Sequence, residues 1–357
     1  MSKHYEARLE RLLESVRTKS LSGVVITSPA NIYYFTGLRL PGLLLISAEG
    51  SATLYTRRSY QAANNRLVQL VDMKHVRGDL VSSIFEELKD RRLAIGYDSL
   101  TADVYQRIIK SAPNILLSHF SESIWEIRQP KSSEEIDLLS KAAEITAASI
   151  ETVREFISPG ATAGDLKRFL AEEIFRAGAD GLAFNPSVIV GADLAYSMDS
   201  PVERDIREGD AVLLKAGALI GGYHASITRT FYLGAEPPET LEKAHRIALS
   251  LIEAFERSQV SWSPAATVYE KMIESARSLG TNGLIVEVFG HGLGLEERET
   301  PEISHSSVDI LRESSVVTFG VEVLKPGDMG FQLSDMYVVE GKYPRRLSRL
   351  TSELPLG

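Results

Sequence analysis

One stretch of the chain decides the fold, and it reads GDAVLLKAGALIGGYHASITRT from Gly209 to Thr230. Two runs in and just beyond it, at 211–219 and 224–233, are rich in apolar residues and predict buried β-strands. Lys215 lies inside the first run, with apolar residues on both sides. Because an ammonium group among apolar side chains needs a compensating partner, we expect Lys215 to pair with a carboxylate. The candidate partners are Glu299, Glu322 and Asp335.

The bulk composition is that of an ordinary globular protein. The 357 residues are 44% hydrophobic and 24% charged, and this length predicts two domains. No apolar run is long enough to span a membrane, and a net charge of −9 argues against nucleic-acid binding. The absence of cysteine excludes disulfides, thiolate metal sites and a cysteine nucleophile. The charged N-terminal residues contain no signal-peptide core, and we expect a cytoplasmic protein.

Two domains are predicted, at 1–127 and 128–357. In the first, helical and strand-like segments alternate, which is typical of a small mixed α/β domain. The second begins near a long helix that Ser132 and Glu135 open as a capping box. Further helices follow in pairs, and we expect one of them to begin with Ser263 as its N-cap. The strand-like runs of the second domain are 186–191, 211–219, 224–233, 284–289, 315–324 and 335–340.

Several segments, in a fixed order, resemble the prolidase / aminopeptidase P / creatinase family of peptidases. GHGLGLE at 290–296 is the strongest of them, and the stretch that begins at Gly209 is another. TSPANIYYFTG at 27–37 and IRQPKSSEEI at 127–136 match the family in the first domain and at its end. The resemblance runs from end to end. It implies an α/β N-terminal domain, a C-terminal pita-bread domain and, as in many members, a homodimer.

The resemblance also locates the family's metal ligands, which are two Asp, one His and two Glu that hold two divalent cations. Lys215 and Ser226 occupy the two Asp positions, and only His291 is retained. Gly320 and Ser334 occupy the two Glu positions. Four of the five ligands are therefore replaced, and a positive charge lies at one of the positions. The resemblance thus implies the fold without the metal pair, and we expect no cofactor.

Other positions that act on the substrate in the family differ as well. Met198 and Arg298 occupy positions at which the family has histidines. Arg298 and Glu299 form either an ion pair at the mouth of the pocket or part of a solvated loop. His291 is either a hydrogen-bonded structural histidine, which we favour, or a metal or acid–base group. The candidates for any catalysis that remains are Lys215, His291, Arg298 and Glu299.

Three functional hypotheses are consistent with this sequence. The first is a member without metal or peptidase activity that binds a peptide or small nitrogenous ligand in the former active-site cleft. The second is a metal-independent hydrolase of the creatinase type, with a site rebuilt around Lys215, His291 and Glu299. The third is an Xaa-Pro dipeptidase, which alone requires a divalent metal such as manganese, cobalt or zinc. The expected ligand-binding residues are Met198, Lys215, Ser226, His291, Arg298, Gly320 and Ser334.

Overall fold

The computed structural model describes residues 2–57, 71–86, 88, 91–281 and 283–354. Its chain divides into two compact units, Met1–Arg128 and Gln129–Gly357. Among the helices of these described ranges, none is both long and apolar enough to cross a membrane.

A six-stranded sheet forms the centre of the N-terminal unit. Its strands are β1 Gly23–Ile26, β2 Leu43–Ser47, β3 Ala52–Thr56, β4 Asp72–His75, β5 Leu93–Tyr97 and β6 Ile115–His119. They are arranged in the order β4-β3-β2-β1-β5-β6, with β1 parallel to β5 and antiparallel to β2. The helices are α1 Ser2–Thr18, α2 Pro29–Thr36, α3 Leu80–Glu86, α4 Ala102–Ser111 and α5 Ser121–Arg128. This mixed α/β architecture confirms the fold class predicted for the first domain.

The sequence patterns did not predict two helices and one strand of this unit. Helices α2 and α5 have eight residues each, and such short segments give a weak periodicity signal. The strand β4 is mostly exposed and has no apolar alternation. The sequence predicts a helix near 80–90, which the structure shows as α3, while residues 87, 89 and 90 lie outside the described residues.

An eight-stranded antiparallel sheet forms the centre of the C-terminal unit. Its strands are β8 Ser187–Val190, β9 Ala211–Ala216, β12 Ile227–Tyr232, β14 Ile285–Gly292, β15 Glu299–Ile303, β17 Val316–Lys325, β18 Met329–Glu340 and β19 Tyr343–Arg346. The first seven follow the order β15-β14-β17-β18-β12-β9-β8, and β19 pairs with β18. The shorter strands are β7 Gly181–Leu182, β10 Ala218–Ile220, β11 Tyr223–His224, β13 Ser263–Pro264 and β16 Ile310–Leu311.

Helices cover one face of this sheet. They are α6 Ser133–Arg154, α7 Ala163–Arg176, α8 Glu239–Glu256 and α9 Ala265–Ser278. The packing is dense under α8, where the rings of Phe255 and Phe319 stack with centroids 3.9 Å apart. Because side chains alternate between the faces of a strand, Gly320 lies on the opposite face. This antiparallel sheet with helices on one side is the architecture expected of a pita-bread domain.

The start of α9 corrects one prediction. Ser263 is not the N-cap, since Ser263–Pro264 pairs as a short strand with Ile310–Leu311. The N-cap is Pro264, whose backbone is extended and which makes no side-chain cap hydrogen bond. The Ser263 hydroxyl donates instead to the carbonyl of Gln259. By contrast, the capping box of Ser132 and Glu135 at α6 is confirmed.

Candidate functional site

A row of directly paired residues crosses the sheet face that the helices leave uncovered. Phe289 pairs with Gly320, and Gly320 pairs with Ser334. Ser334 pairs in turn with Thr228, and Thr228 with Lys215. Directly opposed residues of an antiparallel sheet point to the same side. Three of the positions singled out from the sequence, Lys215, Gly320 and Ser334, therefore lie on one face in one row.

A second row, two residues along the strands, contains the other two positions. His291 pairs with Thr318, and Thr318 pairs with Met336. Ser226 precedes Thr228 by two residues and shares its face, and its backbone amide lies 3.4 Å from the sulfur of Met336. The structure thus brings Lys215, Ser226, His291, Gly320 and Ser334 together in two adjacent rows, hereafter the two rows.

An aromatic ring occupies the space beside Gly320. A Cβ atom added to Gly320 would lie 2.3 Å from Cζ of Phe289 and 2.7 Å from Cβ of Ser334. Atoms cannot approach so closely, and so a longer side chain fits at position 320 only if Phe289 and Ser334 shift. A phenyl ring therefore fills the space at the position that the resemblance assigns to a glutamate.

A second ring lies at the other end of the rows, beside Lys215. The ammonium nitrogen of Lys215 is 5.3 Å from the centroid of the Phe184 ring, within the range of a cation–π interaction. The same ring approaches Gly217, where an added Cβ would lie 2.8 Å from Cε1 of Phe184. Lys215 and Phe184 are both partly exposed.

The predicted carboxylate partner of Lys215 is wrong. Within the described ranges, no carboxylate oxygen lies within 4.0 Å of its ammonium nitrogen. Asp335 pairs with Arg229 at 2.7 Å on the helix-covered face, because it follows Ser334 and points the other way. Glu322 accepts a hydrogen bond from the hydroxyl of Ser197.

Glu299, the third candidate, is held by a different lysine. Its carboxylate lies 3.1 Å from the ammonium nitrogen of Lys131, and both side chains are at most 2% exposed. It also accepts the backbone N–H of Glu296 at 3.2 Å. Of the two arrangements considered for Arg298 and Glu299, the ion pair does not form, since Arg298 lies in the exposed loop before β15 and pairs with Glu302 at 3.0 Å.

His291 is a partly buried histidine with a backbone partner. Its Nδ1 lies 3.1 Å from the carbonyl oxygen of Gly292. Burial is the main cause that lowers the pKa of His291, and the positive charges of Arg298 and Lys215 lower it further. The Gly292 carbonyl and Glu302 act in the opposite direction. The imidazole is therefore neutral at pH 7, which suits a hydrogen-bonding role.

Met198 lies apart from the two rows. It follows the 3₁₀ helix Gly191–Tyr196 and is 64% exposed. Its neighbour Ser197 has a left-handed backbone conformation with φ of 50° and contacts Glu322, which lies two residues beyond Gly320. The turn that carries Met198 thus approaches the same sheet face at its next row.

The two rings were not among the residues singled out from the sequence. A phenylalanine two residues before His291, and another in the segment before the Lys215 strand, are common core residues. The one signal that could have found Phe289 is the glycine opposite it, because a glycine within a strand often marks a close approach of another group.

The residues of the two rows do not fit a pair of divalent cations. Only His291 retains a side chain of the family's ligand set, and Ser226 and Ser334 offer neutral hydroxyls. The ammonium of Lys215 would repel each cation, by about 4 kcal/mol per pair of unit charges at ~4 Å and an effective dielectric of ~20. In the part of the chain that the structure describes, no cluster of three or more His, Asp or Glu residues could hold a metal ion.

Comparisons with known proteins place this chain in a family. The model of metallopeptidase family M24 matches residues 137–341, and that of the creatinase/prolidase N-terminal domain matches residues 8–129. An Xaa-Pro dipeptidase of Pyrococcus furiosus is 28% identical over 353 residues, which are 97% of this chain and 99% of that protein. An uncharacterized peptidase of Bacillus subtilis is 28% identical over 360 residues, with 97% of this chain and 99% of the relative covered.

Solved structures show the same fold. A dipeptidase of Pyrococcus horikoshii superposes with a TM-score of 0.86 at 28% identity, covering 98% of this chain and 99% of the other. An Xaa-Pro dipeptidase from Bacillus anthracis gives a TM-score of 0.91 at 23% identity, over 99% and 100% of the two chains. The resemblance drawn from the motifs is confirmed, as is the predicted pita-bread fold of the second domain. The chain belongs to metallopeptidase family M24 and carries the creatinase/prolidase N-terminal domain.

Proposed function

We propose that this M24 member binds a peptide or a small nitrogenous ligand at the two rows and does not hydrolyse peptides with a metal pair. The observation that carries the proposal is the Phe289 ring beside Gly320. The ring fills the space from which a metal-binding carboxylate would extend. Lys215 supports the same conclusion, because its ammonium lies at a position where the family has an aspartate.

The two rows retain the properties of a binding surface. Lys215, His291, Phe184 and Phe289 are all partly exposed. Together they offer hydrogen-bonding groups between two aromatic rings, a combination common in small-molecule sites. The fold thus keeps a polar face with apolar walls while its metal chemistry is absent.

A second candidate function is that of an Xaa-Pro dipeptidase, and the comparisons favour it. Relatives from Pyrococcus furiosus and Pyrococcus horikoshii carry that name, and each is matched along 97% of this chain. Against it stand the four replaced ligand positions. The creatinase-like alternative loses one of its three expected groups, because Glu299 is buried in its pair with Lys131.

Metal analysis and activity assays separate these functions. We expect protein expressed with added manganese or cobalt to retain no stoichiometric metal after dialysis, and to leave Xaa-Pro dipeptides intact. Two bound ions per chain with chelator-sensitive hydrolysis would establish the dipeptidase instead. Hydrolysis that survives chelation would support the creatinase type.

A designed variant provides the positive control for metal binding. It carries Lys215→Asp, Ser226→Asp, Gly320→Glu and Ser334→Glu, and is made with and without Phe289→Ala. We expect metal binding only in the version that lacks the phenyl ring, since the ring occupies the space of the restored glutamate. Equal metal affinity of the two versions would show that the ring is no obstacle.

We further propose that the protein is a cytoplasmic homodimer. Light scattering of the purified chain tests the dimer, and fractionation of the producing cells tests the location.

A further inference from the structure

We infer that the ligand of the two rows is a carboxylic acid, whose carboxylate pairs with the ammonium of Lys215 and accepts hydrogen bonds from neighbouring hydroxyls. This inference rests on the proposed binding function and specifies the chemistry of the ligand. Three observations carry it: the missing counter-charge of Lys215, the neighbouring hydroxyls that no protein group engages, and the two flanking rings.

Among the residues that the structure describes, Lys215 has no anionic partner for its positive charge. Over residues 2–57, 71–86, 88, 91–281 and 283–354, no carboxylate oxygen comes within 4.0 Å of its nitrogen. Its ammonium nitrogen lies 5.3 Å from the centroid of the Phe184 ring. A cation–π contact is weaker than a charge-assisted hydrogen bond to a carboxylate. A partly buried ammonium with only this contact gains from an anion supplied by a ligand.

Three hydroxyl groups beside Lys215 also lack partners. Ser226, Thr228 and Ser334 are 5%, 1% and 2% exposed, respectively. For the described residues, the hydrogen bonds at these three positions involve backbone atoms, and their side-chain oxygens have none. None of the three oxygens is among the fully buried, unpartnered side-chain atoms of the described residues, so they lie at the accessible surface of the two rows. Three adjacent hydroxyls that no protein group engages are available as donors to a ligand that accepts hydrogen bonds.

The geometry of the sheet brings these donors next to the ammonium. Thr228 pairs directly with Lys215, and Ser334 pairs with Thr228 on the other side. Cβ atoms of directly opposed residues lie about 5 Å apart. One carboxylate above Thr228 can thus reach the ammonium with one oxygen and a hydroxyl with the other.

The remaining groups of the two rows add no negative charge. The nearby acids are engaged elsewhere: Glu299 with Lys131, and Asp335 with Arg229. The rings of Phe184 and Phe289 lie at opposite ends of the first row, where they can contact the apolar parts of the acid.

The test compares acids with their amides. Binding of Ala-Pro, Ala-Pro amide, proline and prolinamide is measured by titration calorimetry on the full chain. We expect each acid to bind roughly ten- to a hundredfold more tightly than its amide, the range for losing one hydrogen bond to a charged group. Lys215→Met should lose the preference, and Lys215→Arg should retain most of it. Lys325→Met serves as the matched control, because Lys325 is exposed at the end of β17 and pairs with Asp328.

Each outcome decides between the two proposals. Equal binding of acids and amides, or an unchanged preference in Lys215→Met, would overturn the carboxylate and leave the binding function intact. If none of the four compounds binds at millimolar concentration, the proposed binding function is wrong, and the proposed carboxylate ligand is wrong as well. Thermal unfolding of each variant, measured in parallel, shows that a loss of affinity does not reflect a loss of fold.

Discussion

The two faces of the C-terminal sheet differ in how their charged side chains are paired. On the helix-covered face, Arg229 and Asp335 form a fully buried pair at 2.7 Å, and Arg229 also donates to the carbonyls of Ser334 and Leu350. On the face that the helices leave uncovered, hereafter the open face, Lys215 is partly exposed and contacts the ring of Phe184. The first face is internally satisfied, whereas the second keeps donors that a ligand can use. The two faces thus differ even between the adjacent residues Ser334 and Asp335.

The largest effect is expected on the covered face. Arg229→Met removes the nearest cation from the buried Asp335 carboxylate, which keeps Arg346 at 3.5 Å and the Ser348 hydroxyl. The variant should therefore lower the free energy of unfolding by about 3 kcal/mol, the lower end of the range for breaking a buried pair. Arg298→Met is the matched control, because Arg298 pairs with Glu302 in an exposed loop and such pairs contribute about 0–1 kcal/mol. Urea unfolding of both variants measures the difference. Similar losses in the two would show that the buried pair has no special structural role.

A smaller effect is expected from crowding the open face. Gly320→Ala places a Cβ 2.3 Å from the Phe289 ring, and overpacking of this kind costs about 1–3 kcal/mol. Adding Phe289→Ala should recover part of that loss in a double-mutant cycle. Gly181→Ala is the control, since its Cβ would meet its nearest neighbour, in Leu219, at an ordinary 3.5 Å. Strictly additive costs at positions 289 and 320 would refute the proposed contact.

Lys215 should matter far less for stability than Arg229 does. Lys215→Met removes a cation–π contact worth about 0.5–1 kcal/mol, and it also removes the cost of desolvating an ammonium. The two terms offset each other, so the free energy of unfolding should change by less than about 1 kcal/mol. Chemical denaturation measures it. A loss as large as that of Arg229→Met would make Lys215 a structural residue.

The smallest effect concerns pH and His245, which lies on α8. Its Nε2 is 2.6 Å from the carbonyl oxygen of Ser352. Burial is the main cause that lowers the pKa of His245, although the Ser352 hydrogen bond raises it. The unfolded chain therefore binds a proton more readily, and stability should decline as pH falls through the unfolded value of about 6.5. His245→Gln should flatten this decline in melting curves between pH 8 and pH 5, whereas a steeper decline would contradict the assignment.

The sequence predicted the scaffold better than the contacts. The strands around Lys215 and the capping box at Ser132 follow from apolar patterns and local hydrogen bonding, and both are confirmed. The N-cap at Ser263 is wrong because a distant strand, β16, pairs with that residue. The partner of Lys215 is wrong for a related reason, since burial of Glu299 and Asp335 against other cations cannot be derived from chain order.

The candidate site shows the same division. Motif spacing identified five positions that the structure brings into two adjacent rows, yet it missed Phe184 and Phe289. The place of an aromatic ring depends on the space that its neighbours leave, and this space is a property of the packed sheet. The sequence left the exposed loop of Arg298 as one of two alternatives, and it could not identify Glu302 as the partner because Glu302 is one of several nearby acids.

The ring beside Gly320 has a consequence for the mutational paths open to this protein. A single change of Gly320 to glutamate places the new side chain against Phe289, so under the proposed function that step carries a steric penalty and no catalytic benefit. A change at position 289 would relieve the clash, and on its own it gives no catalytic gain. A carboxylate at position 320 is therefore difficult to gain by successive single substitutions, because neither substitution is beneficial alone.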